Sequence, residues 1–267
     1  MKLSFYTPIA YDYLLSFAAI SSYYDIADEI ILAIDKDRMS WNKNKYEFND
    51  TLFYDEIKKI DTSNKIKILE ENFHEYSDLP IENDTNERNI ISSNCKAENY
   101  IIGIDSDEIL LNAKIFYDWL TDIKTTNFDT SCVWHSVYKI IDSALILTLP
   151  EEIAHIGTNL RNKYSKCRIT TNENVVLSSL KILHFSWGRQ RKDVIEKLYN
   201  WSHSKDFNLE KNMRNWDNVT LENFKSFHHI HPLKLKQWWV SLEIGFLEDY
   251  NISQQTKNYL LNYINKK

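Results

Sequence analysis

The chain has 267 residues, 43% of them hydrophobic and 26% charged, which is enough apolar material for the core of one large domain. Its formal net charge of −6 argues against nucleic acid as the main partner, because proteins that bind phosphate backbones are normally basic. With four glycines and no GxGxxG or GxxxxGK[ST] motif, glycine-rich phosphate loops are excluded.

Three cysteines, Cys95, Cys132 and Cys167, are widely spaced and form no CxxC pair. An odd number with this spacing predicts reduced thiols and no zinc site. The sequence shows neither a signal-peptide pattern nor an apolar run of ~18 residues, the length of a membrane span. We therefore expect a soluble cytoplasmic protein.

The first hundred residues alternate between strand and helix patterns. Residues 2–7 predict a strand that ends at Pro8, residues 11–24 a helix, and residues 29–34 a strand buried on both faces. Strand, helix and strand in this order predict a parallel α/β sheet flanked by helices. The first half is completed by further predicted elements: a loop over residues 35–50, a helix over 53–60, a strand over 65–69, a helix over 87–98 capped by Thr85, and a strand over 100–104.

The second half has weaker periodicity. The pattern predicts paired strands over residues 131–140 and 144–149 with a turn near Asp142, a strand over 175–183 and a helix over 191–204. From Leu233 onward an amphipathic helix is predicted to carry Trp238, Trp239, Leu242, Phe246 and Leu247. No internal repeat or linker marks a domain boundary.

The stretch IIGIDSDEIL ends an apolar strand in Asp105, Asp107 and Glu108. Because alternate residues of an extended chain point to one side, Asp105 and Asp107 can face one divalent cation. Hard carboxylate oxygens favour Mg²⁺ or Mn²⁺. The alternative is a solvated turn whose acids cap a helix beginning near Glu108.

A longer segment, NERNIISSNCKAENYIIGIDSDEIL, resembles family-2-like glycosyltransferases of the GT-A fold, in a bacterial branch with a D-x-D-E motif. The resemblance implies that Asp105 and Asp107 bind the metal, and that Asp105 and Ser106 contact the nucleotide-sugar. It places Arg88 near the diphosphate, for which a guanidinium has matching geometry. The alternative for Arg88 is a surface ion pair.

The same resemblance assigns the ends of the first two strands to the nucleotide. The corresponding residues are Thr7, Pro8 and Ile9 after the first strand and Asp35 after the second. The alternative for Asp35 is that it only ends a strand.

A second match, LHFSWGRQRKDVIEKLYNWSHSKDF, resembles the closing element of these enzymes. It implies that His184 is a third metal ligand, and that Arg189 and Arg191 steady the departing diphosphate. The alternative for His184 is a partly buried histidine with satisfied hydrogen bonds.

An inverting transferase needs a carboxylate that takes the proton of the acceptor hydroxyl. The Glu-Asp pair that often supplies it in the family is missing from the expected interval. Glu152 is the preferred candidate and Glu151 the second. The alternative, acids at a helix start, leaves inversion versus retention open.

Together these patterns predict a GT-A-like domain over residues 1–210, with an irregular acceptor half, and a C-terminal helical extension over residues 211–267. The resemblance implies a hexosyltransferase that depends on Mn²⁺ or Mg²⁺. Its donor would be a nucleotide-sugar, preferably of the UDP type, and its acceptor a glycan or lipid-linked glycan. Scarce glycine and abundant Asn, Lys and Ile suggest an AT-rich, bacterial genome. With the resemblance, this suggests surface polysaccharide synthesis, with peripheral membrane contact through the C-terminal helix.

Three alternatives stay open at this point. A non-catalytic carbohydrate-binding protein would explain the 36 aromatic residues, Trp 8, Tyr 16 and Phe 12. An inactive GT-A relative would keep the motifs without the activity. A phosphatase of the haloacid-dehalogenase type also uses D-x-D, but it needs a downstream acidic pair, and the chain has no Asp-Asp.

Overall fold

A computed structural model describes residues 1–204, 206–232 and 238–265. The strands in these ranges are β1 (Leu3–Ile9), β2 (Glu29–Asp35), β3 (Ile66–Glu71), β4 (Tyr100–Gly103), β5 (Glu108–Leu110), β6 (Asp129–Ile141), β7 (Ala144–Leu149), β8 (Glu152–Thr158), β9 (Tyr164–Lys166), β10 (Ile169–Thr170), β11 (Val175–His184) and β12 (Ser241–Phe246). The α-helices are α1 (Tyr13–Tyr23), α2 (Asp50–Ile60), α3 (Pro80–Asn94), α4 (Ala113–Asp122), α5 (Arg191–Asn200), α6 (Leu209–Asn218) and α7 (Gln254–Ile264).

One large sheet organises the chain, in the order β12-β7-β6-β8-β4-β1-β2-β3, with β11 beside β6 and β5 beside β11. Strands β4, β1, β2 and β3 run parallel, whereas the half that contains β6, β7, β8 and β12 is antiparallel. Strands β9 and β10 form a separate hairpin. This confirms the predicted α/β class, with a mostly parallel central sheet flanked by helices.

Three of the four parallel strands, β1, β2 and β4, are largely apolar and buried along their whole length, whereas the edge strand β3 is partly exposed. Every residue of β1 and β2 is buried, and Phe5 of β1 stacks on Tyr23 of α1 with ring centroids 4.5 Å apart. The one acid at the start of β2, Glu29, accepts a hydrogen bond of 2.6 Å from Ser4 and pairs with Lys67 at 2.6 Å. A buried carboxylate is tolerated here because its oxygens are satisfied.

Most predicted elements are found within a few residues of their expected bounds, and two differ for identifiable reasons. Strand β1 continues through Pro8 because only one neighbouring strand is paired at that position. Pro8 pairs with Ala33 of β2, and the ladder to β4 has already ended at the pair Tyr6–Gly103. Helix α3 begins at Pro80 instead of after Thr85, in agreement with the preference of proline for the first helical position. The predicted turn at Asp142 is a left-handed two-residue turn, with φ of 47° there.

The predicted C-terminal helix is wrong over residues 241–246, whereas residues 254–264 of the same tail form α7. Residues 233–237 lie outside the described ranges, and Ser241–Phe246 form β12, which pairs antiparallel with β7. Six consecutive backbone partners on β7 favour the extended form, so the apolar residues 242 and 246 belong to a strand. The predicted boundary at residue 210 falls inside α6, and the division into residues 1–210 and 211–267 stays a prediction.

Across the described ranges, no helix is both long enough and apolar enough to cross a bilayer.

The pairing of β12 predicts different costs for two aliphatic side chains on that strand. Leu242 is buried in a cluster with Ile146 and Trp239, whereas Ile244 is 43% exposed. We expect Leu242→Ala to lower the free energy of unfolding by about 2–5 kcal/mol, and Ile244→Ala to change it by less than about 0.5 kcal/mol. Urea denaturation of both variants measures this, and equal losses would contradict the pairing.

Candidate functional site

A cleft of about 540 Å³ lies at the carboxyl ends of the parallel strands β1, β2 and β4. This is the place where open α/β sheets bind ligands. The last residues of β1 and β2 and the chain after β1 and β4 supply part of its lining: Pro8 to Asp12, Asp35, and Asp105 to Asp107. The opposite wall comes from β8, β11, α5 and the β9–β10 hairpin.

Asp105 is held by two guanidinium groups. Arg88 of α3 donates to both of its oxygens, at 3.1 and 3.2 Å, and Nη2 of Arg168 lies 2.7 Å from Oδ2. Each guanidinium is held in turn by a second acid, since Arg88 bonds Asp84 at 2.7 Å and Arg168 bonds Glu108 at 2.8 Å. Asp105 therefore belongs to a network of ion pairs and is not a lone carboxylate.

Asp107 meets three basic side chains from the closing segment. Lys197 of α5 donates to its Oδ2 at 2.7 Å, Arg189 donates to the same oxygen, and Nε2 of His184 lies 3.6 Å away. His184 reaches this position because β11 pairs with β5, which sets His184 opposite Glu108. Two sequence segments about eighty residues apart are thus joined by charge.

These contacts set the protonation of the three acids. Burial alone would raise the pKa of Asp105, but Arg168 and Arg88 outweigh it and hold that pKa below its usual value. Likewise Lys197, His184 and Arg189 overcome burial and hold the pKa of Asp107 well below its usual value. Burial raises the pKa of Glu108, with Arg168 opposing. Both aspartates of the D-x-D are therefore ionised at neutral pH.

The donor set of the D-x-D fits the predicted Mn²⁺ or Mg²⁺ in its chemistry. Oδ1 of Asp107 makes no hydrogen bond to any described residue, the side chain of Asp105 is 28% exposed, and His184 offers an imidazole nitrogen. Carboxylate oxygens with one imidazole suit Mn²⁺. The assignment of Asp105, Asp107 and His184 as ligands stays a prediction.

A second acidic group lies at the end of β2. Asp35, Asp37 and His74 bring potential ligand atoms within 4.8 Å of one another, so this group could also hold a metal ion. However, both oxygens of Asp35 already accept hydrogen bonds, from Phe73 at 2.9 Å and Met39 at 3.1 Å among others. Asp35 lines the cleft, and its oxygens are committed to shaping the loop. Its contact with a nucleotide stays a prediction.

The other predicted site residues divide into two groups. Pro8, Ile9, Ser106 and Glu152 line the cleft along with the residues above. Those outside the cleft lining have other partners: Thr7 bonds Tyr23 at 2.7 Å, Glu151 pairs with Lys181, Arg189 is buried beneath Asp107, and the exposed Arg191 pairs with Asp217 at 2.8 Å. The roles given to all of these residues stay predictions.

Asn89, which follows Arg88 in the sequence motif, positions the hairpin that carries Arg168. Its side-chain amide bonds the carbonyl and the N–H of Tyr164, at 3.0 and 2.9 Å. Nearby, Oγ1 of Thr85 accepts from the N–H of Cys167 at 2.8 Å. The Arg-Asn pair therefore holds Asp105 from two directions, directly through Arg88 and indirectly through Arg168.

Comparisons with known proteins do not assign a family. The sequence matches no protein-family profile and no curated protein. Among solved structures, S. aureus TarS 1–349 has 15% identity and a TM-score of 0.34, over 51% of this chain and 36% of that one.

Two further structures are similarly distant. Mannose-6-phosphate isomerase from Helicobacter pylori has 11% identity and a TM-score of 0.35, over 56% of each chain. 4-Diphosphocytidyl-2C-methyl-D-erythritol synthase has 9% identity and a TM-score of 0.32, over 49% of this chain and 59% of that one. The chain thus spans between 36% and 59% of these three structures. Similarities this weak assign no activity.

Sequence reasoning missed several functional candidates. Arg168 lies in no motif, and Lys197 lies within the second match without a role assigned to it. The partners of both side chains lie tens of residues away in the sequence. Six of the eight tryptophans also line the cleft: Trp41, Trp134, Trp187, Trp201, Trp238 and Trp239. Their number was visible in the composition, but their convergence depends on the fold.

Glu87 is a further acid on the cleft wall, and it accepts a hydrogen bond from the indole of Trp41. Burial raises the pKa of Glu87 to about 8, against the opposing effects of that bond and of Arg88. Burial, helped by Asp193 and Asp12, also raises the pKa of Glu196 to about 7. Glu87 is therefore largely protonated at neutral pH, unlike the two aspartates of the D-x-D.

The raised pKa of Glu87 predicts a pH-dependent stability. Between its ordinary pKa of 4.5 and about 8, the folded protein binds a proton that the unfolded chain releases. Raising the pH through this window therefore favours unfolding, by at most about 1.4 kcal/mol per pH unit from this group. We expect Glu87→Gln to flatten the fall in melting temperature between pH 5 and 8.

Glu82→Gln is the matched control, because Glu82 lies on the same helix and is exposed. That variant should keep the wild-type pH dependence. If Glu87→Gln and wild type lose stability in parallel over this range, Glu87 is ionised in the folded protein and the assignment is wrong.

Proposed function

We propose that the protein is a glycosyltransferase that moves a sugar from a nucleotide-sugar, preferably of the UDP type, to a hydroxyl of a glycan or glycolipid. The observation that carries this proposal is the composition of one cleft. Basic side chains on the D-x-D end suit a diphosphate, and six tryptophans on the same walls suit sugar rings. Synthesis of a bacterial surface polysaccharide is the setting we propose.

The charged end of the cleft supports recognition of the diphosphate. Arg88, Arg168 and Lys197 all line it, and guanidinium and ammonium groups are strong partners for phosphate oxygens. A divalent cation held by Asp105, Asp107 and His184 would supply additional positive charge against the departing nucleoside diphosphate. The residues of this chain orient that group and exclude water from it.

The aromatic walls support recognition of sugars. The ring of Trp134 packs against His184, with centroids 4.5 Å apart, and the guanidinium of Arg168 lies 5.5 Å from its centre. Trp134 therefore borders the charged end of the cleft, next to the position we propose for the transferred sugar. Trp201 and Trp238 also line the cleft, and their aromatic rings suit the acceptor.

Glu152 is the carboxylate that we propose as general base. Its Oε2 accepts from Trp239 at 3.0 Å and from Ser136 at 3.2 Å, and within the described ranges it forms no ion pair. The acids Asp12, Asp84, Asp105 and Asp107 are all paired with arginine. A hydrogen-bonded but unpaired carboxylate can accept a proton from an acceptor hydroxyl, which suits an inverting reaction.

The function is tested by nucleotide binding and by turnover. We expect one of UDP, GDP, CMP and dTDP, in the presence of Mn²⁺, to raise the melting temperature by several degrees, because a ligand of the folded state stabilises it. Asp107→Asn should lose most of that shift. The matching nucleotide-sugar should then release its nucleotide when a glycan acceptor is added.

Two outcomes would redirect the assignment. Stabilisation by glycans without nucleotide binding would favour a carbohydrate-binding protein, which the six tryptophans also suit. Nucleotide binding with no release of sugar to water or to any acceptor would favour an inactive relative.

Glu152 and Glu151 provide a matched pair for the catalytic assignment. We expect Glu152→Gln to lower kcat by about 10²–10⁴-fold, because a general base contributes that much, with the Kd for the nucleotide unchanged. Glu151→Gln should keep kcat within about twofold, since Glu151 pairs with Lys181 outside the cleft lining. Steady-state rates of nucleotide release measure both, and equal losses would remove Glu152 from the mechanism.

A further inference from the structure

We propose that Lys197 occupies the cation position of the D-x-D while the donor is absent, so that a divalent cation binds well only together with the nucleoside diphosphate. This deepens the proposed function and rests on it for the identity of the donor. The ammonium group competes with the metal ion for Asp107 and transfers to the phosphates when the donor enters.

The first observation is how completely the aspartates are already neutralised. Asp105 contacts Arg88 and Arg168, and Asp107 contacts Arg189 and Lys197, so each single negative charge meets two positive ones. A divalent cation added to this arrangement would lie close to the ammonium of Lys197, which is 2.7 Å from Oδ2 of Asp107. Because like charges repel strongly in a buried site, the free cation is held off.

The second observation distinguishes Lys197 from the three arginines. Each arginine is anchored by a further group: Arg88 by Asp84, Arg168 by Glu108, and Arg189 by Asp12 and the carbonyl of Phe185. In the described part of the chain, the ammonium of Lys197 has Asp107 as its single hydrogen-bond partner. Lys197 is therefore the cation that can leave while the network around it stays intact.

The third observation is that Lys197 can reach a ligand. Its side chain lines the cleft and is 10% exposed, and an ammonium has three donors, of which one is used. Rotation about its flexible stem can direct the other donors to phosphate oxygens without movement of α5.

Charge balance explains why the two ligands would enter together. Around the D-x-D, two groups of ion pairs, one on Asp105 and one on Asp107, together hold five acids and four cations. The acids are Asp12, Asp84, Asp105, Asp107 and Glu108, and the cations are Arg88, Arg168, Arg189 and Lys197. A diphosphate alone would add negative charge to a site that has no positive charge to spare. A metal ion alone would lie close to the ammonium group of Lys197. A metal–diphosphate pair adds both charges and gives Lys197 a new partner.

The test is Mn²⁺ binding in the absence of nucleotide, measured by electron paramagnetic resonance and calorimetry on the full chain. We expect Lys197→Met to bind Mn²⁺ at least about tenfold more tightly than wild type. Lys197→Arg, which keeps the charge, should stay as weak as wild type. Lys197→Gln serves as a second neutral variant where Lys197→Met folds poorly, and Lys114→Met, on the exposed face of α4, is the surface control.

A second substitution locates the ion. In the Lys197→Met background, Asp107→Asn should abolish the tight binding, whereas Asp37→Asn, in the other acidic group, should leave it. Addition of UDP to wild type should bring its Mn²⁺ affinity to the level of Lys197→Met.

The proposal is overturned if wild type binds Mn²⁺ alone as tightly as Lys197→Met, if neither binds it, or if the tight site survives Asp107→Asn. Tighter metal binding by Lys197→Met with no response to any nucleotide would support the competition at Asp107 and contradict the proposed donor. Nucleotide and Mn²⁺ binding to wild type with no effect of Lys197→Met would contradict the competition and leave the proposed function standing.

Discussion

The buried ion-pair network around the D-x-D is the interaction on which the arrangement of the cleft depends. Asp105, Asp107 and Glu108 follow β4 directly, and their partners come from α3, the β9–β10 hairpin and α5. Buried ion pairs contribute little net stability, because desolvation offsets most of the attraction. Removal of one partner is costly, however, since it leaves a charge without compensation. These ion pairs therefore join the segments that meet at this place and are costly to break singly, while adding little net stability to the fold.

The parallel half of the fold was predictable because its signal is local. The apolar runs of β1 and β2 and the spacing of α1 determine secondary structure within a few residues, so strand, helix and strand could be read directly. The fate of residues 241–246 could not be read in this way. Their apolar side chains suit a helix or a strand equally, and the partner that decides, β7, lies about a hundred residues earlier.

The site divides in the same manner. Asp105, Asp107, Arg88 and His184 stand in recognisable motifs, and the structure brings them together at the D-x-D, in one group of ion pairs around Asp105 and another around Asp107. Arg168 stands in a short hairpin without any motif, and its position depends on hydrogen bonds from Asn89 to Tyr164. Sequence patterns therefore identify side chains that follow strands, whereas side chains that reach the site from a separate hairpin require the tertiary structure.

The cleft also contains carboxyl groups in opposite protonation states, and their environments explain the difference. Glu87 is buried beside an indole and next to Asp84, so its proton stays bound to a pH near 8. Asp105 contacts Arg88, the residue that follows Glu87 on α3, and also Arg168. These two guanidinium groups hold the pKa of Asp105 below its usual value, so it loses its proton. Glu152 accepts hydrogen bonds from neutral groups and has no ion pair among the described residues, so its charge is not cancelled by a neighbour. One wall of the cleft therefore offers a neutral hydrogen-bonding acid, and the charged end offers carboxylates paired with cations. The aromatic wall offers a carboxylate with no ion pair among the described residues, so environment alone separates the chemical character of these acids.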